Sequence, residues 1–169
     1  MGQKNSKDEL VYQQVLEGSI EGIKALRRDG ASLEWVDTKG KTPLIVASMD
    51  IRLYSVAKTL IELGANVNAF RPGRHAGTPL HHAAKRGLDN TVKLLLSMGA
   101  NPFVRNDDCQ TALDVARAKG FNNVVRAIED PQPHTVIALW KSKIVEPKFQ
   151  DSDPAMVIFD ESTKTRYKF

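Results

Sequence analysis

The chain has 169 residues, 41% hydrophobic and 26% charged, with a formal net charge of +4; that length gives one domain, or one domain with a tail, and no apolar run approaches the ~18 residues a membrane span needs. One cysteine, Cys109, excludes an internal disulfide and points to a reducing compartment. Residues 1–129 hold 18 basic and 14 acidic side chains and residues 130–169 hold six of each, which falls short of the dense basic stripe of a nucleic-acid binder.

The chain begins MGQKNSKDEL. Gly2 and Ser6 fit the template M-G-x-x-x-[ST], making Gly2 a candidate N-myristoylation site, and no apolar stretch follows that would make a secretory signal. A single acyl chain binds membranes only marginally, on the order of 10⁴ M⁻¹. Lys4 and Lys7 would add to it near an anionic leaflet while Asp8 and Glu9 oppose them, and no cysteine lies nearby to carry a second lipid. Residues 1–8 read as a flexible start with reversible membrane contact.

From residue 9 the sequence repeats. TPLIVAS begins at Thr42, TPLHHAA at Thr78 and TALDVAR at Thr111, steps of 36 and 33 residues. Each block reads as a helix start: the threonine hydroxyl caps free amides, and Pro43 or Pro79 follows where a missing N–H costs nothing. A second helix follows each, as in TVKLLLSMGAN, where Val92, Leu95 and Leu96 at i, i+3, i+4 form one apolar stripe and Gly99 supplies the left-handed stop. Upstream, VYQQVLEGSIEGIKALRRDGASLEWVD is a degenerate unit, with Gly18 and Gly30 where Gly87 and Gly99 stand later, and with Gln13 and Gln14 giving it the polar face of a cap. One such unit cannot bury its stripe alone, so the units must stack.

Two departures stand out. The unit at Thr42 carries an extra residue near SMDIR, and the loop after it, NVNAFRPGRHAGT, carries two more. Cys109 stands two residues before Thr111, where Gly40 precedes Thr42; a turn with positive φ is expected there, with the cysteine a tolerated substitution rather than a reactive thiol.

Catalytic chemistry is hard to find. TKGKT looks like the end of a phosphate loop, but Trp35 stands where the pattern needs its first glycine. His81 and His82, with His75 nearby, lack the further ligands a zinc site needs, so no metal and no cofactor is expected. The enlarged loop instead suggests binding. Arg71, Arg74 and His75 lie on it beside Phe70, and Lys85 and Arg86 end the next helix; together they suggest a cationic lip with an aromatic foot, suited to an acidic peptide of a protein partner. The competing reading is solvated loop charge over a buried Phe70.

Residues 130–169 hold Pro131, Pro133, Pro147 and Pro154 among many charges and read as mostly disordered. TVIALW is expected to fold back over the last repeat. MVIFDES is a short β-prone run followed by acids, which resembles a peptide that adds a strand to a small modifier protein.

The T-P-L-H-H-A-A and L-L-L-S-M-G-A-N blocks identify residues 9–129 as similar to the ankyrin-repeat family: an all-α solenoid of three full repeats and one degenerate N-terminal repeat. His81 is then that family's structural histidine. The blocks AKTLIELGANVNAFRPGRHAGTPLHHAAKRGL and NDDCQTALDVARAKGFNNVVRAIE, with the MGQ…SK start, resemble more particularly plant ankyrin-repeat ubiquitin ligases with a C-terminal RING finger. That resemblance implies recruitment of a target by the ankyrin part and docking of a ubiquitin-conjugating enzyme by a zinc-binding RING. A RING needs about eight Cys and His ligands, and after residue 129 the chain holds no Cys and only His134. The expectation is a monomeric, cytoplasmic interaction module at the cytosolic face of a membrane when acylated, with the nucleus left open. It would be a truncated or spliced product, or a fragment of a gene model, without a catalytic module; the alternative is an E3 ubiquitin-protein ligase whose RING is missing from this chain.

Overall fold

The structure, a computed structural model, describes residues 6–70, 77–129, 157–160 and 165–168. Eight helices run in chain order as four helical hairpins: α1 Lys7–Glu17 with α2 Ile20–Arg28, α3 Pro43–Ala47 with α4 Tyr54–Glu62, α5 Pro79–Arg86 with α6 Asp89–Ser97, and α7 Ala112–Lys119 with α8 Asn122–Glu129. The first helices of the hairpins stack on one another, α1 on α3 on α5 on α7, and so do the second helices, α2 on α4 on α6 on α8. The result is a two-layer solenoid with an inner and an outer row.

At the starts of α3 and α7 local chemistry sets the boundary as the repeat predicts. The Thr42 hydroxyl accepts from the Ile45 amide (3.3 Å) and the Thr111 hydroxyl from the Asp114 amide (3.2 Å), capping α3 and α7. Pro43 and Pro79 occupy the first helical turn. Between the rows lies one continuous core. Leu44, Leu60, Leu80, Leu95, Leu96 and Val124 are buried in it, and truncating any of these leucines to alanine should cost roughly 2–5 kcal/mol. Ala47, Ala83, Ala84, Ala112 and Ala116 lie buried in the inner row, where their small side chains let neighbouring helices approach.

Polar rungs tie the first hairpin to the second and the second to the third. Beyond α2, α4 and α6 the chain runs Gly-Ala-X, and the amide of X donates to an upstream side chain, within the first unit at Ser32 and in the preceding unit at Asn66 and Asn101. Ser32 donates to Asp8 Oδ1 (2.7 Å), Asn66 to Glu34 Oε1 (2.8 Å) and Asn101 to Asn68 Oδ1 (2.7 Å). Asn68 also donates through Nδ2 to the Gly99 carbonyl (3.1 Å). These bonds satisfy backbone groups that no helix or sheet pairs.

Beyond the solenoid, strands β1 Val157–Asp160 and β2 Thr165–Lys168 pair antiparallel, with Val157 opposite Lys168 and Asp160 opposite Thr165. The β-prone MVIFDES run thus forms a strand over Val157–Asp160. This hairpin is an addition to the helical reading, and its cross-strand partner Thr165–Lys168 carried no signal we read in the sequence. TVIALW and most of the tail lie outside the described residues.

Candidate functional site

The face built by the inner helices and the turns before them is set by three turns at homologous places. In the first, Asp37 Oδ1 accepts from the Lys39 and Lys41 amides (2.8 Å each), and Gly40 turns with φ 75°. In the third, Asn106 Oδ1 accepts from the Asp108 and Gln110 amides (3.0 and 2.9 Å). Cys109 stands at φ 58°, the left-handed conformation expected from its alignment with Gly40. It is exposed, and its carbonyl accepts from Arg105 Nη1 (2.6 Å). These self-bonded turns hold Thr38, Lys39, Asp107 and Asp108 outward, on backbone that needs no further ordering to meet a partner.

The middle turn is the enlarged one. Arg71, Arg74 and His75 lie outside the described residues. At its near edge Phe70 is 37% exposed, which removes the reading of Phe70 as a core residue. At the far end of α5, the helix that the loop leads into, Lys85 and Arg86 are exposed in the last turn, where the negative end of the helix favours cations. Among the described residues neither is in an ion pair.

His81 lies behind the face, not on it. It is buried; its Nδ1 accepts from the Thr78 amide (3.2 Å) and its Nε2 meets the Gln110 carbonyl (3.0 Å). Burial pushes its pKa down, against hydrogen bonds to the Gln110 and Val104 carbonyls that raise it. Both ring nitrogens are thus engaged by backbone, and His82 is buried beside it. Among the described residues no group of three or more His, Cys, Asp or Glu side chains is placed to hold a metal, and no helix is long and apolar enough to cross a membrane.

At the N-terminus Ser6 has a structural task of its own: its hydroxyl accepts from the Glu9 amide (3.2 Å) and caps α1. Gly2 lies outside the described residues.

Two features escaped the sequence reading. Tyr12 occupies the place in α1 that His81 has in α5; its hydroxyl donates to Asp37 Oδ2 (2.7 Å), and its ring meets Trp35 edge-on with centroids 5.0 Å apart. The extra residue near SMDIR produces a 3₁₀ turn over Ile51–Leu53, and Ile51 at its start is 71% exposed. The residue count signalled an insertion, but not what it would present.

Stacked helical hairpins with projecting turns and an outward inner face define a repeat-type protein-interaction module. Residues 39–116 of the chain belong to the ankyrin-repeat family. The family model described as Ankyrin repeat matches residues 39–70, and the one described as Ankyrin repeats (many copies) matches residues 60–116. Over 96% of its length the chain is 52% identical to XBAT35 of Arabidopsis thaliana. Over 99% it is 48% identical to XBOS34 of Oryza sativa subsp. japonica, and over 95% it is 44% identical to XBAT34 of Arabidopsis thaliana. All three carry names that mark them as inferred E3 ubiquitin-protein ligases. The chain covers 48%, 44% and 58% of these proteins in turn, about half the length of the curated relatives it matches.

Proposed function

We propose that the chain recruits a protein target for ubiquitination, holding it on the face of inner helices and turns. The observation that carries this reading is the pair of exposed cations at the end of α5, Lys85 and Arg86, on the inner helix that follows the enlarged loop and without an ion-pair partner among the described residues. Arg71, Arg74 and His75 of that loop, which lie outside the described residues, would add their charge to a cationic lip, with exposed Phe70 as its aromatic foot. Such a lip suits an acidic segment of the partner. The names of the relatives support the ligase setting. Ligase activity itself belongs to the second reading, in which the chain is part of an E3 ubiquitin-protein ligase with a zinc-binding RING.

Acylation of Gly2 would place the lipid immediately ahead of α1, which begins at Lys7. Reversible binding of one acyl chain would gain from a partner already at the membrane, through avidity.

The test is capture of partners by the wild type and by two charge-reversed forms. One reverses Arg71, Arg74, Lys85 and Arg86 to Glu; the other reverses Lys58 and Lys93 on the outer helices. The lip variant should lose its partners while the outer-row variant keeps them. Equal capture by both variants would remove the lip as the site. Intact mass after co-expression with N-myristoyltransferase tests Gly2: loss of Met1 with a gain of about 210 Da, the mass of a C14 acyl group, is the expected result, and an unmodified mass removes the lipid.

A further inference from the structure

We infer that the 3₁₀ knuckle at Ile51 is an apolar anchor at the edge of the binding face, where the inner helices end, and that it takes a partner segment setting a bulky apolar side chain beside carboxylates. This rests on the reading of the face as a recruiting surface, and names the chemistry of what is recruited.

In the other three hairpins the inner helix ends at a glycine in the left-handed region: Gly18 at φ 74°, Gly87 at φ 70° and Gly120 at φ 73°. The chain then enters the outer helix at once. The second hairpin carries one residue more and has Arg52 at the corresponding place. Its α3 stops at Ala47, and a 3₁₀ turn over Ile51–Leu53 bridges to α4. Ile51 is pushed outward, and at 71% it is the most exposed large hydrophobic side chain among the described residues.

That exposure is held in place. Asp50 caps the turn, its Oδ1 accepting from the Arg52 amide (2.9 Å). The Arg52 guanidinium grips the same carboxylate through Nε on Oδ1 (3.1 Å) and Nη2 on Oδ2 (2.6 Å). Ile51 therefore sits between two residues locked to each other, a preorganised knob that gives up little freedom on binding. A clamp of this kind gives nothing to a core residue; it makes sense on a surface that must keep its shape.

The surroundings select the partner. Leu16 and Tyr54 are 53% and 37% exposed. A Cβ at Gly18 would lie 3.7 Å from Leu53 Cδ2, so the knuckle leans against the turn of the first hairpin. On the opposite side α5 follows α3 in the inner row and ends in exposed Lys85 and Arg86. Arg86 lies within electrostatic reach of Asp50. With Asp50 already neutralised by Arg52, Lys85 and Arg86 are left to meet carboxylates from outside. An apolar knob near cations that form no ion pair among the described residues is complementary to an apolar residue flanked by Asp or Glu, which separates the anchor from a purely ionic contact with the lip.

The test selects a library of short random peptides on the immobilised full chain, then titrates the enriched peptides by fluorescence anisotropy. Titrations use the wild type, Ile51→Asp, Arg86→Glu and the outer-row control Lys93→Glu, each checked for an unchanged circular-dichroism melt. Enriched peptides should carry an aliphatic or aromatic residue beside acids. Their affinity should fall about tenfold or more with Ile51→Asp and by about threefold or more with Arg86→Glu, with no change for Lys93→Glu. Peptides that bind Ile51→Asp as well as the wild type would overturn the anchor and leave the recruiting face standing. No enrichment at all would overturn the recruiting face and the anchor with it. Self-association of the chain that vanishes in Ile51→Asp would place a second copy on the knuckle, and overturn the acidic partner.

Discussion

The Tyr12 hydroxyl donates to Asp37 Oδ2 across 2.7 Å, joining the inner helix of the first hairpin to the turn that opens the second. Burial raises the Tyr12 pKa first, and the hydrogen bond to Asp37 adds to it. Burial alone would raise Asp37 too, but hydrogen bonds from the Lys41 amide, the Tyr12 hydroxyl and the Lys39 amide outweigh it and hold the carboxyl below its usual range. Tyr12→Phe should cost about 1 kcal/mol. Asp37→Ala should cost more, because the amides of Lys39 and Lys41 lose their acceptor as well. Urea unfolding of both variants checks this; equal costs would mean the hydroxyl carries the whole effect.

His81 makes the homologous link between the third and fourth hairpins, its Nε2 facing the Gln110 carbonyl (3.0 Å). Because burial lowers its folded pKa, the unfolded chain binds the proton first as pH falls. The stability this group gives is fully present above the ordinary imidazole pKa of about 6.5, and it is lost progressively below that value. One differential proton is worth at most about 1.4 kcal/mol per pH unit. His81→Gln should therefore show a shallower fall in stability between neutral and mildly acid pH than the wild type. Parallel curves would assign the acid sensitivity to other groups.

Cys109 holds φ 58° where Gly40 holds φ 75°. A side chain in this region costs about 1–2 kcal/mol, and glycine relieves that at about 0.4–1 kcal/mol of unfolded-state entropy. Cys109→Gly should then stabilise by about 0.5–1 kcal/mol and raise the thermal midpoint by ~2–4 °C. Cys109→Val, with a branched Cβ, should lower it. A fall in the midpoint for Cys109→Gly would show that the thiol makes a contact worth more than the strain.

Gly87 and Gly99 separate backbone strain from packing. Both have positive φ, 70° and 94°. A Cβ at Gly87 would lie 2.8 Å from the Phe121 ring, whereas one at Gly99 meets nothing within 4 Å. Gly99→Ala should cost about 1 kcal/mol from φ alone. Gly87→Ala should cost a further ~1–3 kcal/mol of overpacking unless the ring moves. Thermal denaturation of the pair reads the difference directly.

Wherever the repeat keeps its pattern, the fold could be read in the sequence. Thr42, Thr78 and Thr111 marked helix starts, Val92, Leu95 and Leu96 marked the buried stripe, and Gly40 foretold the backbone of Cys109. What could not be read lies where one unit departs from its neighbours. Tyr12 gave no warning because its partner Asp37 is 25 residues away, and no local rule links a tyrosine to a distant turn. The knuckle at Ile51 was visible only as a residue too many, since exposure is decided by how the chain absorbs an insertion. Ser6 shows the reverse case: a residue first noticed for a modification motif also caps a helix.

The rungs at Asn66 and Asn101 each join a unit to the one before it, and neither skips one. Stretched from its two ends, such a chain carries the load in series rather than in parallel. Each hairpin then bears the full tension alone, and the weakest gives way first while its neighbours stay folded. A partner tugging on the solenoid would meet a train of separate yields, not one rupture.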